Sequence, residues 1–521
     1  MTHNKVYVLD CTLRDGGYIN NWNFGNQTIK NIVDSLVKAK IDIIECGFIR
    51  NVYYSKDSSV FNSMDQLRKI ITPKSKDVLY AVMIEHHNNV YKLIPEYDKC
   101  GIDIIRVTFR RNEWQEARES IRKLINKGYK VCVQPVGTTN YDAESLLKLL
   151  KDVNELKPYA FYLVDTVGVM YRHDMRTFFY LIDNNLSINI KLGFHSHNNL
   201  QMSFANAQEM IRLANRRDVI IDSSCYGMGR GVGNLATELF CDYVNNNIQQ
   251  RYLITPILNI VDKYLMPIYA EQRWGYDLPY FLSASAKCHP NYAAYLIRRE
   301  TLDIENIEKI LSLIPIDARK EYSERLIERL YTDYQSSEIE DEKAVDELKE
   351  KIANREVVIL GPGTSIVKEK NKIYDNLSGR FVITTNFVTD NYRTNALFVS
   401  NEKRLGNIGT KIKGCVLATS NLKIKNALVF NYSSLLGEGD ASDNAGAMLI
   451  RILKKAGVKK LYMAGFDGFD VDASANYAVE GYKKSLDYET AKKKNNDISK
   501  QLSLALQGIK YEVITKSKYE I

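Results

Sequence analysis

The feature that most constrains the fold of this chain is a rhythm that runs from its start to about Cys225. Short β-rich runs alternate there with amphipathic helical stretches, and continuous apolar runs are typical of parallel strands buried on both faces. Eight such runs occur, at residues 6–10, 41–48, 78–84, 102–109, 130–136, 160–165, 190–197 and 219–225. Eight βα units in succession predict a closed (β/α)8 TIM barrel, with an open doubly wound sheet as the alternative.

The pattern changes twice after these runs. Residues 235–333 are mostly helical in pattern, and the charged stretch TDYQSSEIEDEKAVDELKEKIANRE that follows predicts a polar helix or linker closing the first domain. A second α/β pattern then begins at Val357, with strand candidates VVILGPG, RFVITTNF, ALFVS, GCVLATS, NALVFN, KKLYMAGFD and YEVITK. We therefore predict a barrel over 1–245, a helical extension and charged linker over 246–355, and a Rossmann-like α/β domain over 356–521.

Composition excludes several classes of function. The net charge of +8 over 521 residues is modest and the lysines are scattered, so no nucleic-acid footprint is present. No apolar run reaches the roughly 18 residues of a membrane span, and the start MTHNKVYVLD lacks a signal-peptide layout. Eight cysteines without a CxxC pair indicate reduced thiols. These features predict a cytoplasmic enzyme without nucleic-acid or membrane partners, and we expect a homodimer.

Polar residues at the carboxyl ends of barrel strands are the candidates for the active site, because barrel enzymes place their chemistry there. We expect three of them, Arg106, Thr166 and Asn234, to contact the substrate. The full set comprises Arg14, Asp15, Glu45, Arg106, Thr108, Gln134, Asp165, Thr166, His195, His197, Cys225 and the loop YGMGRGVGN that contains Asn234.

The pair His195 and His197 suggests a metal site. They are two of seven histidines in the chain, and a spacing of two places both on the same face of a strand. One carboxylate, such as that of Asp15, would complete a three-ligand set that suits a divalent ion acting as a Lewis acid. Oxygen-rich surroundings favour Mg²⁺ or Mn²⁺, whereas two imidazoles favour Mn²⁺, Co²⁺ or Zn²⁺. The alternative is a hydrogen-bonded turn.

Arg14 stands beside the proposed ligand Asp15. Its guanidinium is suited to holding an enolate oxygen or a carboxylate, although a structural ion pair, for example with Glu45, is the alternative. Glu45 itself is either a general acid or base, or a group that orients the site from behind. Cys225 has a similar ambiguity, since a single cysteine at a strand end usually packs.

About residues 5–300 resemble the metal-dependent barrel lyases, in which LDCTLRDGG, IIECGF, LVDTVG, GFHSHNN and GMGRGVGNLATE occur in this order. That superfamily includes 4-hydroxy-2-oxovalerate aldolase, 3-hydroxy-3-methylglutaryl-CoA lyase and isopropylmalate synthase. The resemblance implies that Asp15, His195 and His197 bind the metal and that Arg14 stabilises an enolate. The segment HPNYA resembles the aldolase branch, where a tyrosine assists proton transfer, and the matching residue is Tyr292.

One departure from the aldolase pattern concerns the base. Those aldolases carry histidines shortly after RDG, whereas the stretch GGYINNWNFGNQ has none. Proton transfer then falls to Tyr18, Tyr292, Glu45, a water on the metal or the substrate itself. The resemblance implies an aldolase that joins a 2-oxo acid and an aldehyde, or cleaves their product, through a pyruvate-type enolate. The alternatives are an acyl-CoA Claisen-type synthase or lyase, and a sugar-nucleotide-binding protein with a vestigial barrel.

The C-terminal segments VVILGPGTSI, ITTNF, SDNAGAMLIRILKKAGVKKLYMAGFDGF and NNDISKQL resemble bacterial sialyltransferases and related Rossmann-like domains. The resemblance predicts a nucleotide or nucleotide-sugar ligand, and with the barrel it suggests cell-surface carbohydrate biosynthesis. Glycine lets backbone N–H groups approach a phosphate at a helix start, although a plain structural turn is the alternative. No histidine follows His289, so the catalytic histidine of that family is absent. The predicted nucleotide-binding residues are Gly361, Gly363, Asn386 and Asn444.

Overall fold

The chain divides into two compact units. The computed structural model describes residues 5–87, 90–319, 321–412, 414–439, 441–479, 482–483 and 486–521. The first unit comprises 1–294 with 315–322, and the second comprises 295–314 with 323–521. The three segments predicted from the sequence pattern, with limits at 245 and 355, stay a prediction.

The first unit contains a closed barrel of eight parallel strands, which confirms the predicted fold. The first strand pairs with both the second and the last, so the sheet closes on itself. Every predicted run forms a strand, with end shifts of at most two residues. The strands are β1 Val6–Asp10, β2 Ile43–Ile49, β3 Leu79–Glu85, β4 Ile104–Phe109, β5 Lys130–Pro135, β6 Ala160–Asp165, β7 Lys191–Ser196 and β8 Val219–Ser223; a short strand, Val60–Phe61, pairs beside β2.

Both faces of the barrel strands are buried, which explains their continuous apolar sequences. Alternate side chains point to opposite faces, so Tyr80, Val82 and Ile84 of β3 join the core between the sheet and the helices. The inward positions form a separate inner core of mostly small or branched side chains, which includes Leu9, Ile43, Ala81, Ile104, Cys132, Ala160 and Ile220.

The helices around the barrel bury one apolar stripe each. In Asn26–Lys38 the buried residues are Ile29, Ile32, Val33 and Leu36, which follow the three- and four-residue spacing of one helix face. The other helices of the barrel are Gly17–Asn20, Met64–Ile71, Trp114–Asn126, Ala143–Leu156, Arg172–Asn185, Ser203–Leu213 and Thr237–Asn247. None of the described helices is long and apolar enough to cross a membrane.

The segment that follows the barrel is helical, as its pattern predicts. Its helices are Ile254–Ile260, Met266–Glu271, Leu278–Ser285, Pro290–Arg299, Ile304–Ser312 and Glu324–Gln335. The charged stretch after it was expected to close the first domain, and that expectation is wrong. It forms the helix Glu342–Ile352, which packs on the core of the second sheet through Leu348 and Ile352. Ala344 and Val345 pack against the same core, so a short apolar stripe docks a helix that is otherwise charged.

The second unit is built on a seven-stranded parallel sheet that contains all seven strand candidates. Its strands are β9 Val357–Leu360, β10 Phe381–Thr385, β11 Ala396–Val399, β12 Cys415–Thr419, β13 Leu428–Phe430, β14 Lys460–Ala464 and β15 Lys510–Val513. They lie in the order β13-β12-β11-β10-β9-β14-β15, so the direction of strand addition reverses between β9 and β14. The helices after β9 are Ser365–Lys368, Lys370–Tyr374, Glu402–Ile408, Ala445–Lys455, Ala473–Asn476 and Tyr488–Leu506.

Candidate metal centre

The segment TLRDG forms a π-helical turn, Thr12–Gly16, directly after β1, and this turn carries Arg14 and Asp15. Hydrogen bonds from distant parts of the barrel fix its backbone. Ser59 Oγ donates to the carbonyl oxygen of Leu13 at 2.6 Å, and the indole N–H of Trp22 donates to that of Arg14 at 2.7 Å. Single π-helical turns recur at functional sites, and this one directs two charged side chains into the barrel mouth.

Asp15, His195 and His197 come together as predicted, with one potential ligand atom of each within 4.8 Å of the others. The two imidazole rings lie nearly perpendicular, with centroids 5.2 Å apart. Nε2 of His197 is 3.9 Å from Oδ2 of Asp15. Asp15 and His195 are buried and His197 is half-buried, so all three are shielded from bulk water. Two imidazoles and one carboxylate at this separation can hold a divalent ion.

A chain of alternating charges connects two of these ligands, and we call it the carboxylate–guanidinium chain. Its members are Asp15, Arg14, Glu45, Arg106 and Asp222. Arg14 pairs with Asp15 through Nη1 and with Glu45 through Nε, the latter at 2.9 Å. Arg106 pairs with Glu45 at 2.7 Å and also with Asp222, whose carboxylate lies 2.9 Å from Nδ1 of His195.

Arg106 was expected to contact the substrate, and the structure does not fit that role. It is fully buried, and its guanidinium is bonded to Glu45 and Asp222. With its amide oxygen facing Arg106, Gln134 accepts from Nε at 2.9 Å, and the ring of Tyr162 lies 4.8 Å below the guanidinium carbon. Arg106 therefore orders the interior of the barrel. Gly193 makes room for this packing, since a Cβ there would lie 2.4 Å from the ring of Tyr162.

The charges of the site suit a bound cation. Burial raises the pKa of Asp15, but Arg14 and the two histidines lower it more, so the net shift is well below the usual range. Burial lowers the pKa of His197 to about 4, which leaves the ring neutral and free to ligate at neutral pH. The carboxylate–guanidinium chain holds three carboxylates against two guanidinium groups, so one negative charge is in excess. A divalent ion would convert this to a net positive site, as an anionic substrate requires.

Among the buried polar atoms that have no partner within the described residues are Nη2 of Arg14 and Oδ1 of Asn234, both beside the triad. The amide nitrogen of Asn234 donates to Oδ2 of Asp15 at 2.6 Å, so this side chain lies at the candidate metal site. Leaving polar atoms unpaired in a buried site is costly, and it marks positions where a ligand completes the bonding. The amide oxygen of Asn234 is therefore available to a metal or a substrate, and Nη2 of Arg14 to an anion.

Tyr18 lies at the rim of the barrel, 39% exposed, with its ring edge-on to Trp22 at 4.7 Å. Burial and the charge of Asp15 raise its pKa, so the phenol keeps its proton at neutral pH. Tyr18 can therefore give a proton more readily than it can take one.

Two other predicted residues are engaged elsewhere. The hydroxyl of Tyr292 faces the carbonyl oxygens of Ala318 and Glu321, at 3.0 and 2.7 Å, which joins its helix to the segment 315–322. This position does not support the predicted role of Tyr292 in proton transfer. The hydroxyl oxygen of Thr166 accepts a hydrogen bond from the N–H of Gly137 at 2.8 Å, which fixes the loops after β5 and β6. Contact between Thr166 and a substrate stays a prediction.

The four residues predicted to bind a nucleotide, Gly361, Gly363, Asn386 and Asn444, all line one cavity of the second unit. These residues were expected to contact a nucleotide, but their hydrogen bonds are made within the protein. The N–H groups of Gly361 and Gly363 donate to the carbonyl oxygens of Ala464 and Gly465, at 2.8 and 2.9 Å, and so cannot cradle a phosphate. A Cβ on Gly361 would lie 2.6 Å from the oxygen of Gly465, so glycine is needed where the two loops cross.

The helix start after the GPG turn is also closed. Asp467 accepts a hydrogen bond from the N–H of Ser365 at 2.7 Å, so a carboxylate takes the position predicted for a phosphate. The amide of Asn386 is bonded to Ser400 through both its atoms. Asn444 caps the helix Ala445–Lys455 by accepting from the N–H of Ala447 at 3.1 Å. Any phosphate in this cavity must therefore bind away from the GPG turn.

Sequence reasoning missed Asp222 and Trp22. A signal for Asp222 was present, because VIIDSSC places a single carboxylate in an apolar strand, on the inward face with Ile220. A buried acid in that position needs a partner, and a neighbouring histidine or arginine is the natural one. No comparable signal exists for Trp22, whose backbone has a positive φ of 59° and whose indole N–H donates to the carbonyl oxygen of Arg14.

Comparisons with known proteins match the part of the chain that forms the barrel. The HMGL-like family model matches residues 5–255. Oxaloacetate decarboxylase of Mycobacterium tuberculosis is 26% identical over 241 residues, which cover 46% of this chain and 69% of that protein. A 4-hydroxy-2-oxovalerate aldolase of Geobacillus genomosp. 3 is 23% identical over 245 residues, covering 46% of this chain and 70% of the relative. The HMG-CoA lyase structure from Bacillus subtilis has 14% identity and a TM-score of 0.43, over 51% of this chain and 94% of that one.

Proposed function

Because residues 5–255 are an HMGL-like domain of the metal-dependent (β/α)8 lyase superfamily, we propose that this protein is a divalent-metal-dependent aldolase. It makes or cleaves a 4-hydroxy-2-oxo acid through a pyruvate-type enolate. The observation that carries the proposal is the triad Asp15, His195 and His197 beside an arginine with one unpaired nitrogen. Mg²⁺ or Mn²⁺ is the expected ion, with Co²⁺ or Zn²⁺ as the alternatives.

A divalent ion held by Asp15, His195 and His197 would polarise the keto group of a 2-oxo acid. The protein's own contribution is the placement of Arg14. Glu45 and Asp15 fix two of its nitrogens, so Nη2 is held in place to donate to an enolate oxygen. Since no reorganisation is needed when the negative charge develops, this donor stabilises the transition state more than the ground state.

Carbon–carbon cleavage of a 4-hydroxy-2-oxo acid requires two proton movements. A base removes the proton of the 4-hydroxyl group as the aldehyde leaves, and an acid later protonates the enolate carbon to give the 2-oxo acid. Tyr18 suits the second step, because its phenol stays protonated at the rim. The loop Gly17–Gln27 offers no imidazole for the first step, so that proton passes to water or to another group of the substrate.

The missing imidazole favours a second candidate, decarboxylation of a 2-oxo diacid such as oxaloacetate. The bond to CO2 breaks without removal of a hydroxyl proton, and the electron pair enters the same enolate. Arg14 and Tyr18 then serve as they do in the aldolase. The match to oxaloacetate decarboxylase of Mycobacterium tuberculosis supports this candidate alongside the aldolases.

Exchange of the methyl protons of pyruvate with D2O, followed by NMR with Mn²⁺ or Mg²⁺ present, tests the enolate common to both candidates. We expect exchange that depends on metal and on Asp15. If the wild-type protein does not catalyse this proton exchange, both the aldolase and the decarboxylase are contradicted. Cleavage of 4-hydroxy-2-oxovalerate and decarboxylation of oxaloacetate, each corrected with the Asp15→Asn protein, then separate them. Faster turnover of oxaloacetate would replace the aldolase by the decarboxylase.

The more detailed expectations stay predictions from the sequence. They are the role in cell-surface carbohydrate biosynthesis, the homodimer, the cytoplasmic location and the nucleotide or nucleotide-sugar partner of the C-terminal domain. The cavity lined by Gly361, Gly363, Asn386 and Asn444 supports a small-molecule ligand there.

A further inference from the structure

The second unit has a cavity of about 530 Å³ at the carboxyl edge of its parallel sheet. The segments that follow β9, β10, β11 and β14 all contribute to its wall. This is the position where the order of strand addition reverses, between β9 and β14. In open parallel sheets, the loops on either side of such a reversal separate and leave a crevice that takes a ligand. The volume is in the range of cavities that bind small molecules.

Arg404 provides a cation in this cavity. Its guanidinium carbon lies 3.7 Å from the ring centroid of Tyr482 and 5.3 Å from that of Tyr477. Within the described residues, no carboxylate pairs with it. The two tyrosines hold the guanidinium through their rings and through hydrogen bonds to their hydroxyl groups. A guanidinium has five N–H donors, so N–H groups remain for an anion, and this planar donor arrangement matches a phosphate. The N-terminus of the helix Ala445–Lys455 lies on the same cavity and adds backbone N–H groups at Ala445 and Gly446.

Thr385, the last residue of β10, also lines the cavity. The residue is 4% exposed, and its hydroxyl has no hydrogen-bond partner among the described residues. A buried hydroxyl without a partner destabilises the empty protein, so a ligand that bonds to it gains affinity. This hydroxyl is independent of Arg404 and of the helix terminus, and it also indicates a polar ligand.

One part of the remaining wall is aromatic, and the rest is mostly polar and charged. Phe466, Phe469, Tyr477 and Tyr519 line the cavity, and Asp497 on the helix Tyr488–Leu506 adds a carboxylate. Aromatic side chains bind a flat ring by stacking, and a carboxylate accepts hydrogen bonds from ribose hydroxyls. We propose that this cavity binds a nucleoside phosphate, whose phosphate lies on Arg404 and the N-terminus of helix Ala445–Lys455 and whose base lies on the aromatic wall. The GPG turn is not part of this phosphate site, because Asp467 occupies the helix start that follows it. Its glycines instead allow the loops after β9 and β14 to cross closely.

Binding is measured on the full chain by calorimetry and by the shift in melting temperature, because a ligand of the native state raises that temperature. The probes are the 5′-diphosphates of adenosine, guanosine, cytidine and uridine, with ribose 5-phosphate and inorganic phosphate for comparison. We expect at least one nucleotide to bind more tightly than ribose 5-phosphate. If no nucleotide binds, or if ribose 5-phosphate binds as tightly as the best nucleotide, the proposal is overturned.

Arg404→Ala should weaken nucleotide binding about 10- to 100-fold, because it removes hydrogen bonds from a charged donor. Arg393→Ala is the matched control, since Arg393 is exposed and not part of the cavity wall. Pyruvate exchange should be unchanged in both variants, which separates this site from the barrel. Equal nucleotide affinity in Arg404→Ala and wild type would overturn the assigned position of the phosphate.

Thr385→Val provides a test that does not depend on charge. Valine has nearly the shape of threonine, so the unliganded protein should be at least as stable once the unpaired hydroxyl is gone. Nucleotide binding should weaken about fivefold for the loss of one neutral hydrogen bond. Unchanged binding in a stable Thr385→Val protein would contradict a ligand contact at Thr385.

Discussion

Oδ2 of Asp222 lies 2.9 Å from Nδ1 of His195, and the same oxygen accepts a hydrogen bond from Arg106. Because Arg106 supplies a positive charge on the other side, Asp222 stays ionised, and its pKa is lowered by Arg106 and His195 despite the opposing effect of burial. An ionised acceptor at Nδ1 fixes the proton there and leaves Nε2 of His195 free to ligate a metal. Asp222 therefore orients a proposed metal ligand without being one.

Asp222→Asn should weaken metal binding about 10- to 100-fold, which is the usual effect of removing a partner that orients a ligand. The affinity for Mn²⁺ measured by calorimetry checks this. Asp183→Asn is a matched control, because Asp183 is also a buried carboxylate paired with an arginine, Arg217. Both variants should melt at a lower temperature, but only Asp222→Asn should lose affinity. Equal affinity in the two would limit Asp222 to a structural role.

His197→Ala should reduce the affinity for a divalent ion more than about 100-fold, since it removes a ligand rather than its partner. Metal content of the purified protein and titration with Mn²⁺ measure the effect. The control is His173→Ala, whose side chain is 79% exposed on the helix Arg172–Asn185. If His197→Ala kept a full complement of metal, the assignment of the triad would fail.

Arg14→Lys should keep the metal and lose most of the pyruvate exchange, by a factor of about 10² to 10³. Lysine preserves the charge, but it cannot bond Asp15 and Glu45 and still present a third nitrogen to the enolate. NMR of the exchange, with metal content and melting temperature measured in parallel, separates this outcome from a loss of stability. Retained exchange in a stable, metal-loaded Arg14→Lys protein would transfer the enolate-stabilising role to another group.

Gly193→Ala should destabilise the barrel by about 1–3 kcal/mol, because the added methyl group would overlap the ring of Tyr162 and force the core to shift. Urea unfolding followed by circular dichroism measures the change. At Gly101 the nearest atom to an added Cβ is the flexible side chain of Arg68 at 3.5 Å, so Gly101→Ala is the control with little expected effect. Equal stability of the two variants would show that the Tyr162 ring can move aside.

The barrel and the proximity of Asp15, His195 and His197 were predictable because both depend on local periodicity. Eight apolar runs specify eight buried strands, and the spacing of His195 and His197 places both side chains on the same side where β7 ends. The position of Asp15 at the same rim then follows from the parallel arrangement, since all the strands end at one edge. The proximity of these three residues therefore required no knowledge of side-chain packing.

The contacts that connect these residues could not be predicted, because each joins parts of the chain that are distant in sequence. Glu45 bonds both Arg14 and Arg106, and nothing in the sequence selects that arrangement over a contact of Arg106 with a substrate. The GPG turn shows the same limit. Its sequence is compatible with a phosphate site, and only the position of Asp467, about a hundred residues further on, shows that the turn is closed.

The carboxylate–guanidinium chain spans the barrel from its first strand to its last, since Asp15 follows β1 and Asp222 lies on β8. A ribosome releases the chain from its N-terminus, so Asp15 emerges and begins to fold long before β8 has been made. Until then Arg106 lacks one of its carboxylates, and His195 lacks the acceptor that sets its tautomer. The proposed metal site is therefore complete only after translation has passed β8. A nascent chain stalled before Val219 would contain all three ligands and still be unable to orient His195.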